Sequence, residues 1–430
     1  MSSFKEIPID ETSRAALEAH GLRFEVVDTD DTATFETFVA AVNRGFHGPV
    51  HPPEHVTSQA TGVASRRNSA VYDASIAHPD QPVGTVNSWL GTLAVPGDRE
   101  VDAWAISFVT VAPTHRRRGI ARNLLEAELR TAVAAGAAIA MLTVSESTIY
   151  GRFGFAPAAM AADYKIDAKA ARWVGPTASG RVDFLEITEA RVEIEQLHER
   201  IRVLSPGEVG MWPRRWDQVL GIVTEDPAHA KSLRAVRHAD ESGTTRGIAV
   251  FRLKEEHGFS GHTLEVEKLF AETPDAYAAL WRFLLEMDLV SSVSASLRSV
   301  DEPLRWQIAD FRAAQVTTYD HLWLRILDVK AALEARSYEV DAELQLVITD
   351  DLGMADGYWN LSTENGVASV ERKIVSHVPE VTLSVQSLSA IYLGGVRATT
   401  LQAAGLIEGD AELADRIFAS QRTPWLGMWF

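Results

Sequence analysis

The tightest constraint on this chain is a strand that changes phase shortly before a glycine-marked helix start. In "VDAWAISFVTVAPTHRRRGIARNLLEAEL" (Val101–Leu129), Trp104, Ile106 and Phe108 alternate on one face, after which Val109 and Val111 are the large apolar residues. Strand side chains repeat every two residues, so a one-residue slip predicts a β-bulge at Phe108–Val109. A bulge splays neighbouring strands and frees backbone N–H groups. A helix is expected from Ile120, with Ile120, Leu124, Leu125, Leu129 and Val133 as its buried stripe. A helix start carries unpaired N–H donors and a partial positive charge. Gly119 and Ala121 let backbone come close to a ligand, and Arg116, Arg117 and Arg118 add positive charge. The pattern describes an anion site suited to a pyrophosphate.

That cluster stands out because the chain as a whole is acidic, with a formal net charge of −18 over 430 residues. Such a balance argues against nucleic acid as a partner. It leaves cationic acceptors open, since an acidic cleft attracts amines. Absence of cysteine excludes disulfides, thiolate metal sites and a cysteine nucleophile. No apolar run reaches about 18 residues, so no membrane span is expected. The opening "MSSFKEIPIDE" has acids where a secretory signal has a basic run, and a cytoplasmic location is expected.

Along the chain, a helix or arm is expected to about residue 25. A helix follows over Phe35–Val42, then a loop forced by Gly45, Gly48 and three prolines. Three strands precede the helix from Ile120. A strand over Ala138–Ser145 and a short helix over Thr148–Gly154 complete a mixed α/β unit. A second unit loosely repeats this order, and the pattern changes again from His321. Boundaries are placed at 1–160, 161–318 and 319–430.

The strand "VTV" followed by Arg116-Arg-Arg-Gly-Ile-Ala121 resembles the acetyl-CoA signature of the GNAT N-acetyltransferases. Together with "SESTIYGRFGF" (Ser145–Phe155) it resembles the enhanced intracellular survival (Eis) branch. The resemblance implies tandem GNAT-fold α/β domains, the second degenerate, then a sterol-carrier-protein-like α/β domain. It implies an acetyl-CoA-dependent N-acetyltransferase acting on primary amines of polycationic small molecules such as aminoglycosides, by direct transfer in a ternary complex, without a metal. Carried over by motif, acetyl-CoA would meet Val109, Thr110, Val111, Arg117, Arg118, Gly119, Ile120, Ala121, Arg122, Ser145 and Glu146. The Val109 N–H would face the thioester oxygen. Tyr150 would be the general acid, and the terminal carboxylate of Phe430 the general base. Phe46 and His47 fall where the family lines its amine pocket, and His47 departs from the acid usual there. A homohexamer is implied as well.

The tail "TPWLGMWF" supports the Phe430 assignment independently. An exposed large aromatic forgoes roughly 1.5–3 kcal/mol of burial, so Trp425, Met428, Trp429 and Phe430 are expected to tuck inside. Two features are set aside. A second "RGIA" at Arg246–Ala249 runs into Val250, Phe251 and Leu253, which reads as a strand with no phosphate cradle. His47, His51 and His55 are spaced four apart, but Gly48, Pro49, Pro52 and Pro53 forbid one helix through them. The rival reading is a non-catalytic acyl-CoA or lipid-binding protein that uses the interior of the third domain.

Overall fold

In the computed structural model, residues 4–224, 226–255 and 261–430 are described; Met1–Ser3, the head of the expected N-terminal arm, lie outside them. The first third runs α1 (Glu11–Glu18), β1 (Leu22–Val26), α2 (Thr32–Gly45), α3 (Pro53–Val63), β2 (Arg67–Asp73), β3 (Gly84–Val95), β4 (Arg99–Val111), α4 (Ile120–Ala134), β5 (Ile139–Thr143) and β6 (Ala156–Asp167). The middle runs α5 (Ala168–Ala171), β7 (Arg181–Leu185), α6 (Ile187–Arg202), α7 (Pro213–Val219), α8 (Pro227–Ser232), β8 (Arg234–Ala239), β9 (Thr245–Glu255), β10 (His262–Ala271), α9 (Pro274–Leu285), β11 (Val290–Arg298) and β12 (Ala314–Ile326). The last part runs α10 (Val329–Ala335), β13 (Ala342–Thr349), β14 (Gly357–Glu364), β15 (Val367–Glu371), β16 (Glu380–Ser384), α11 (Val385–Ile391), α12 (Ala398–Ala403), β17 (Ile407–Gly409) and α13 (Ala411–Phe418).

The first two parts share one sheet, ordered β1-β2-β3-β4-β5-β12-β6-β11-β10-β9-β8-β7. Strand β12 pairs antiparallel with β5 through Leu322–Ile326 and with β6 along most of its length. The end of the second unit therefore completes the sheet of the first. Residues 160 and 318 fall inside β6 and β12. Strand β6, "APAAMAADYKID", is rich in alanine, which has little strand preference, so its pattern alone is a weak strand signal.

Two sequence expectations need correction here. Pro53 does not prolong the loop; it opens α3, its missing N–H matching a position that has no helical partner anyway. On α4, Ile120, Leu124, Leu125 and Leu129 are buried, but Val133 is 48% exposed. Glu128 lies buried instead. Its carboxylate accepts from Ser88 Oγ (2.5 Å), Trp104 Nε1 (3.3 Å) and Ser69 Oγ (3.4 Å), and pairs with the Arg67 guanidinium at 3.6 Å. A buried carboxylate needs such partners, and they draw the buried face of α4 round toward β2 and β3.

The third part packs helices on the five-stranded sheet β15-β14-β13-β16-β17. Its interior is filled by its own side chains, including Leu344, Leu346, Leu361, Val370, Leu388 and Ile417, all fully buried. Among the described residues no helix is long and apolar enough to cross a membrane.

Candidate active site

The phase slip is a bulge. Opposite β4, Thr85 pairs with Thr110 and Asn87 with Ser107, so Val86 alone faces Phe108 and Val109. Phe108 takes φ +54°, and its carbonyl accepts from Thr85 Oγ1 at 2.8 Å. On its other edge β4 pairs with β5 only over Ala103–Ala105, then the two diverge. That gap opens the floor of a cavity of about 630 Å³.

The turn after β4 forms the cavity wall. Arg117 and Gly119 both have positive φ, +62° and +77°, which reverse the chain into α4. No side chain caps α4, and no acid sits in its first turn. Its leading N–H groups are therefore left for an anion. The turn is tied down from below by Asp73. Its carboxylate accepts from Ser75 N–H and Oγ, from Arg118 Nη1 (2.8 Å) and from His115 Nε2 (3.2 Å). The Ser75 hydroxyl first, then Arg118, hold this carboxyl well below the usual range. Gly45, at the end of α2, closes the other side; a Cβ there would stand 2.4 Å from Thr110 Cβ.

Val109, Thr110, Val111, Arg117, Gly119, Ile120, Ala121, Arg122, Ser145, Glu146 and Tyr150 all line this one cavity, with Phe46 and His47 at its rim. Arg118 does not; its guanidinium turns back onto Asp73 and the His20 carbonyl. Its side chain serves the turn, whereas Arg116 and Arg117 face the cavity. Tyr150 opens a short 3-10 helix (Tyr150–Phe153) and packs edge-on to Phe155. Burial, with Glu146 adding to it, pushes its phenol up to about 12. Among the described residues its hydroxyl has no hydrogen-bond partner, and it lines the cavity.

The chain terminus lies on the far side of the bulge. Leu426 and Met428 are fully buried. The Gly427 N–H donates to Glu208 (2.8 Å), His321 Nε2 donates to the Met428 carbonyl (2.7 Å), and Trp425 Nε1 donates to the Leu297 carbonyl (2.7 Å). Thr143 Oγ1, at the end of β5, donates to a Phe430 oxygen at 2.9 Å. Trp429 departs from expectation: it is 42% exposed and lines two cavities.

Phe430 lines a second cavity, of about 400 Å³, with Phe46 and Phe108. Phe46 borders both cavities, and Phe108 and Val109 face them from neighbouring positions of the bulge. The remaining wall was not anticipated from the sequence. It includes Gln59 and Arg66, together with Trp212, Arg214, Arg215 and Gln218 from the second unit. His51 and His55 are side by side, ring centroids 6.2 Å apart, with His55 on α3.

A splayed strand pair, a bulge and an uncapped helix start define a GNAT acetyltransferase, a class that uses acetyl-CoA. A GNAT acetyltransferase domain is recognised at residues 28–158, a second at 207–326, and a sterol carrier protein domain at 329–427. The chain is 33% identical over 414 residues to an N-acetyltransferase of Streptomyces avermitilis, covering 93% of this chain and 97% of that one. It is 34% identical over 337 residues to N-acetyltransferase Eis of Mycobacterium bovis, covering 76% and 80%. Among solved structures, Eis1 from Mycobacterium abscessus matches with a TM-score of 0.81 at 27% identity, over 95% of this chain and all of that one. The chain belongs to the Eis-like GNAT N-acetyltransferases.

Proposed function

We propose that this enzyme transfers acetyl from acetyl-CoA to a primary amine of a small molecule, directly, within a ternary complex. The observation that carries the reading is the bulge standing between two cavities. Tyr150 and the uncapped α4 start lie on one side, and the chain's own terminal residue lies on the other. The coenzyme side suits a diphosphate: free amides, Arg116 and Arg117 converge there, and a volume of about 630 Å³ is within the range of cofactor pockets. Acetyl-CoA supplies an activated acetyl group whose C–S bond breaks as the C–N bond forms.

The protein's part is proton handling and charge stabilisation. The Val109 N–H, on the bulge beyond the last β4–β5 pair, faces the thioester oxygen. The Phe430 carboxylate, held by Thr143, takes the amine proton. The Tyr150 hydroxyl returns a proton to the departing sulfur. Division at 1–160, 161–318 and 319–430, homohexamer assembly and a cytoplasmic location complete this reading; sedimentation and cell fractionation test the last two. The aminoglycosides implied by the family resemblance are the reference acceptors.

Thiol release measures turnover, and calorimetry measures coenzyme binding. Tyr150→Phe is expected to lower kcat about 100-fold or more while acetyl-CoA binding survives. Residues added after Phe430 are expected to do the same. Full activity in an extended chain removes the base assignment.

A further inference from the structure

The cavity beside Phe430 has a sign opposite to that of the protein. Its wall carries Arg66, Arg214 and Arg215 and, among the described residues, no aspartate or glutamate side chain. Arg66 is 7% exposed. It is clamped between the rings of Trp89 (3.7 Å) and Trp212 (4.4 Å), with one N–H donated to Asn87 Oδ1 at 3.0 Å. Arg214 reaches the Ser58 carbonyl and hydroxyl, both at 2.6 Å. Arg215 reaches Gln218 at 3.4 Å. Among the described residues the buried Nε of Arg214 and that of Arg215 have no hydrogen-bond partner. None of the three arginines pairs with a carboxylate among the described residues. Burial and the neighbouring Arg215 charge push Arg66 down to about 10.

Clustered, desolvated cations without counter-charge are unfavourable unless an anion completes them. The adjoining cavity supplies none. Its Glu265 and Glu267 are paired with Arg252, and Asp163 accepts from Tyr319 at 2.9 Å. The anionic chain terminus lines the same cavity and accepts from Thr143, but among the described residues it forms no ion pair with any of the three arginines. The rest of the wall mixes apolar and aromatic side chains (Val39, Val42, Phe46, Phe108, Trp212) with the uncharged polar Asn43, Gln59 and Ser107.

We propose that the acceptor is a zwitterion: a primary amine and an oxyanion, carboxylate or phosphate, at opposite ends of a small apolar or aromatic body. The amine end lies toward Phe430 and the bulge, and the oxyanion end toward Arg66, Arg214 and Arg215. This rests on the transferase reading above. A polycation of the aminoglycoside kind would set its charges against these guanidinium groups.

The test uses the full chain, acetyl-CoA and amines sharing one benzyl body. These are para-(aminomethyl)benzoate, para-(aminomethyl)phenylphosphonate, the neutral para-(aminomethyl)benzamide and para-xylylenediamine, with an aminoglycoside alongside. The acidic amines are expected to exceed the neutral one about tenfold in kcat/KM, with the diamine lower still. Benzoate against phosphonate decides which oxyanion is recognised. Arg215→Gln, and separately Arg214→Gln, should lower the acid-to-neutral ratio about tenfold, with folding checked by thermal melting. Preference for the diamine or the aminoglycoside overturns the proposal, as does an unchanged ratio in both variants. If no amine is acetylated, the transferase reading fails on its own. Calorimetry with the same amines then decides: tighter binding of the acids supports the zwitterion, and equal or tighter binding of the diamine overturns it.

Discussion

Arg118–Ala121 and Arg246–Ala249 have the same four residues and opposite structures. In the first, Gly119 takes φ +77° and ends an irregular turn, and a helix begins with its amides facing a cavity. In the second, Gly247 sits within β9, between His238 of β8 and Ala271 of β10. There the missing Cβ makes room for α9: it would stand 2.8 Å from Leu280 Cδ1 and 3.0 Å from Ala276 Cβ. One glycine is needed for its backbone angle, the other for its small size. What separates them is context. The bulge, Pro113 and the arginine run precede the first, while Val250, Phe251 and Leu253 continue the second as a strand.

Substituting each glycine by valine separates the two roles. Gly119→Val forces a β-branched residue into the left-handed region, costing roughly 1–2 kcal/mol, and shifts the amides that would hold the diphosphate. Acetyl-CoA affinity by calorimetry should fall about tenfold to a hundredfold. Gly247→Val overpacks α9 and should cost about 1–3 kcal/mol of stability in denaturant unfolding, with coenzyme affinity unchanged. Similar losses of affinity in both variants would break the comparison.

The contrast also explains what could be read ahead of the fold. The proposed coenzyme side is built mostly from local sequence: a strand, a turn and a helix within Val101–Leu129 and the segment Ser145–Arg152, with Gly45, Phe46 and His47 joining from elsewhere. Period and turn chemistry report such a site directly. The proposed acceptor side gathers Phe46 from the cap after α2, Gln59 from α3, Arg66 from just before β2, Arg214 and Arg215 from α7, and Phe430 from the chain end. No periodic pattern links these. The only hint was a pair of arginines between two tryptophans in "WPRRW". Net charge does not report it, since −18 over the whole chain says nothing about three guanidinium groups in one cavity. The insertion of β12 between β5 and β6 was equally hidden, because pairing across some 150 residues leaves no mark on either strand.

A smaller effect is expected one layer below the first glycine. The second copy of the tetrapeptide lies in a ladder that its neighbours hold, whereas the first depends on Asp73 for its shape. Asp73→Asn places amide hydrogens opposite Arg118 and His115. Coenzyme affinity should weaken a few-fold, well short of the Gly119→Val loss. The sign with pH follows from the lowered carboxyl. A carboxyl with a folded pKa below its unfolded value, about 3.9, contributes stability that is present above that value and lost as pH falls through the folded one. The Asn variant should lose that part of the acid dependence in thermal melts below about pH 4. An unaltered acid profile would mean that the turn does not rely on this carboxylate.

The two units also differ in how they use a tyrosine. Tyr277 on α9 donates to Glu302, and burial raises its phenol well above the ordinary value. Tyr150 is raised for the same reason but keeps its hydroxyl free toward a cavity. A proton donor at about 12 stays protonated across the range in which the enzyme can be assayed. Turnover should therefore rise with pH as the acceptor amine loses its proton, then stay level to about pH 10 with no fall caused by Tyr150. Glu146→Gln removes one of the two causes of the shift and should alter that plateau little, because burial is the larger cause. Tyr277→Phe should leave the profile untouched. A decline in kcat below pH 9 in the native enzyme, absent from Tyr150→Phe, would show that this phenol ionises far more easily than its burial implies, and that the first unit's tyrosine sits in a more polar site than its packing against Phe155 describes.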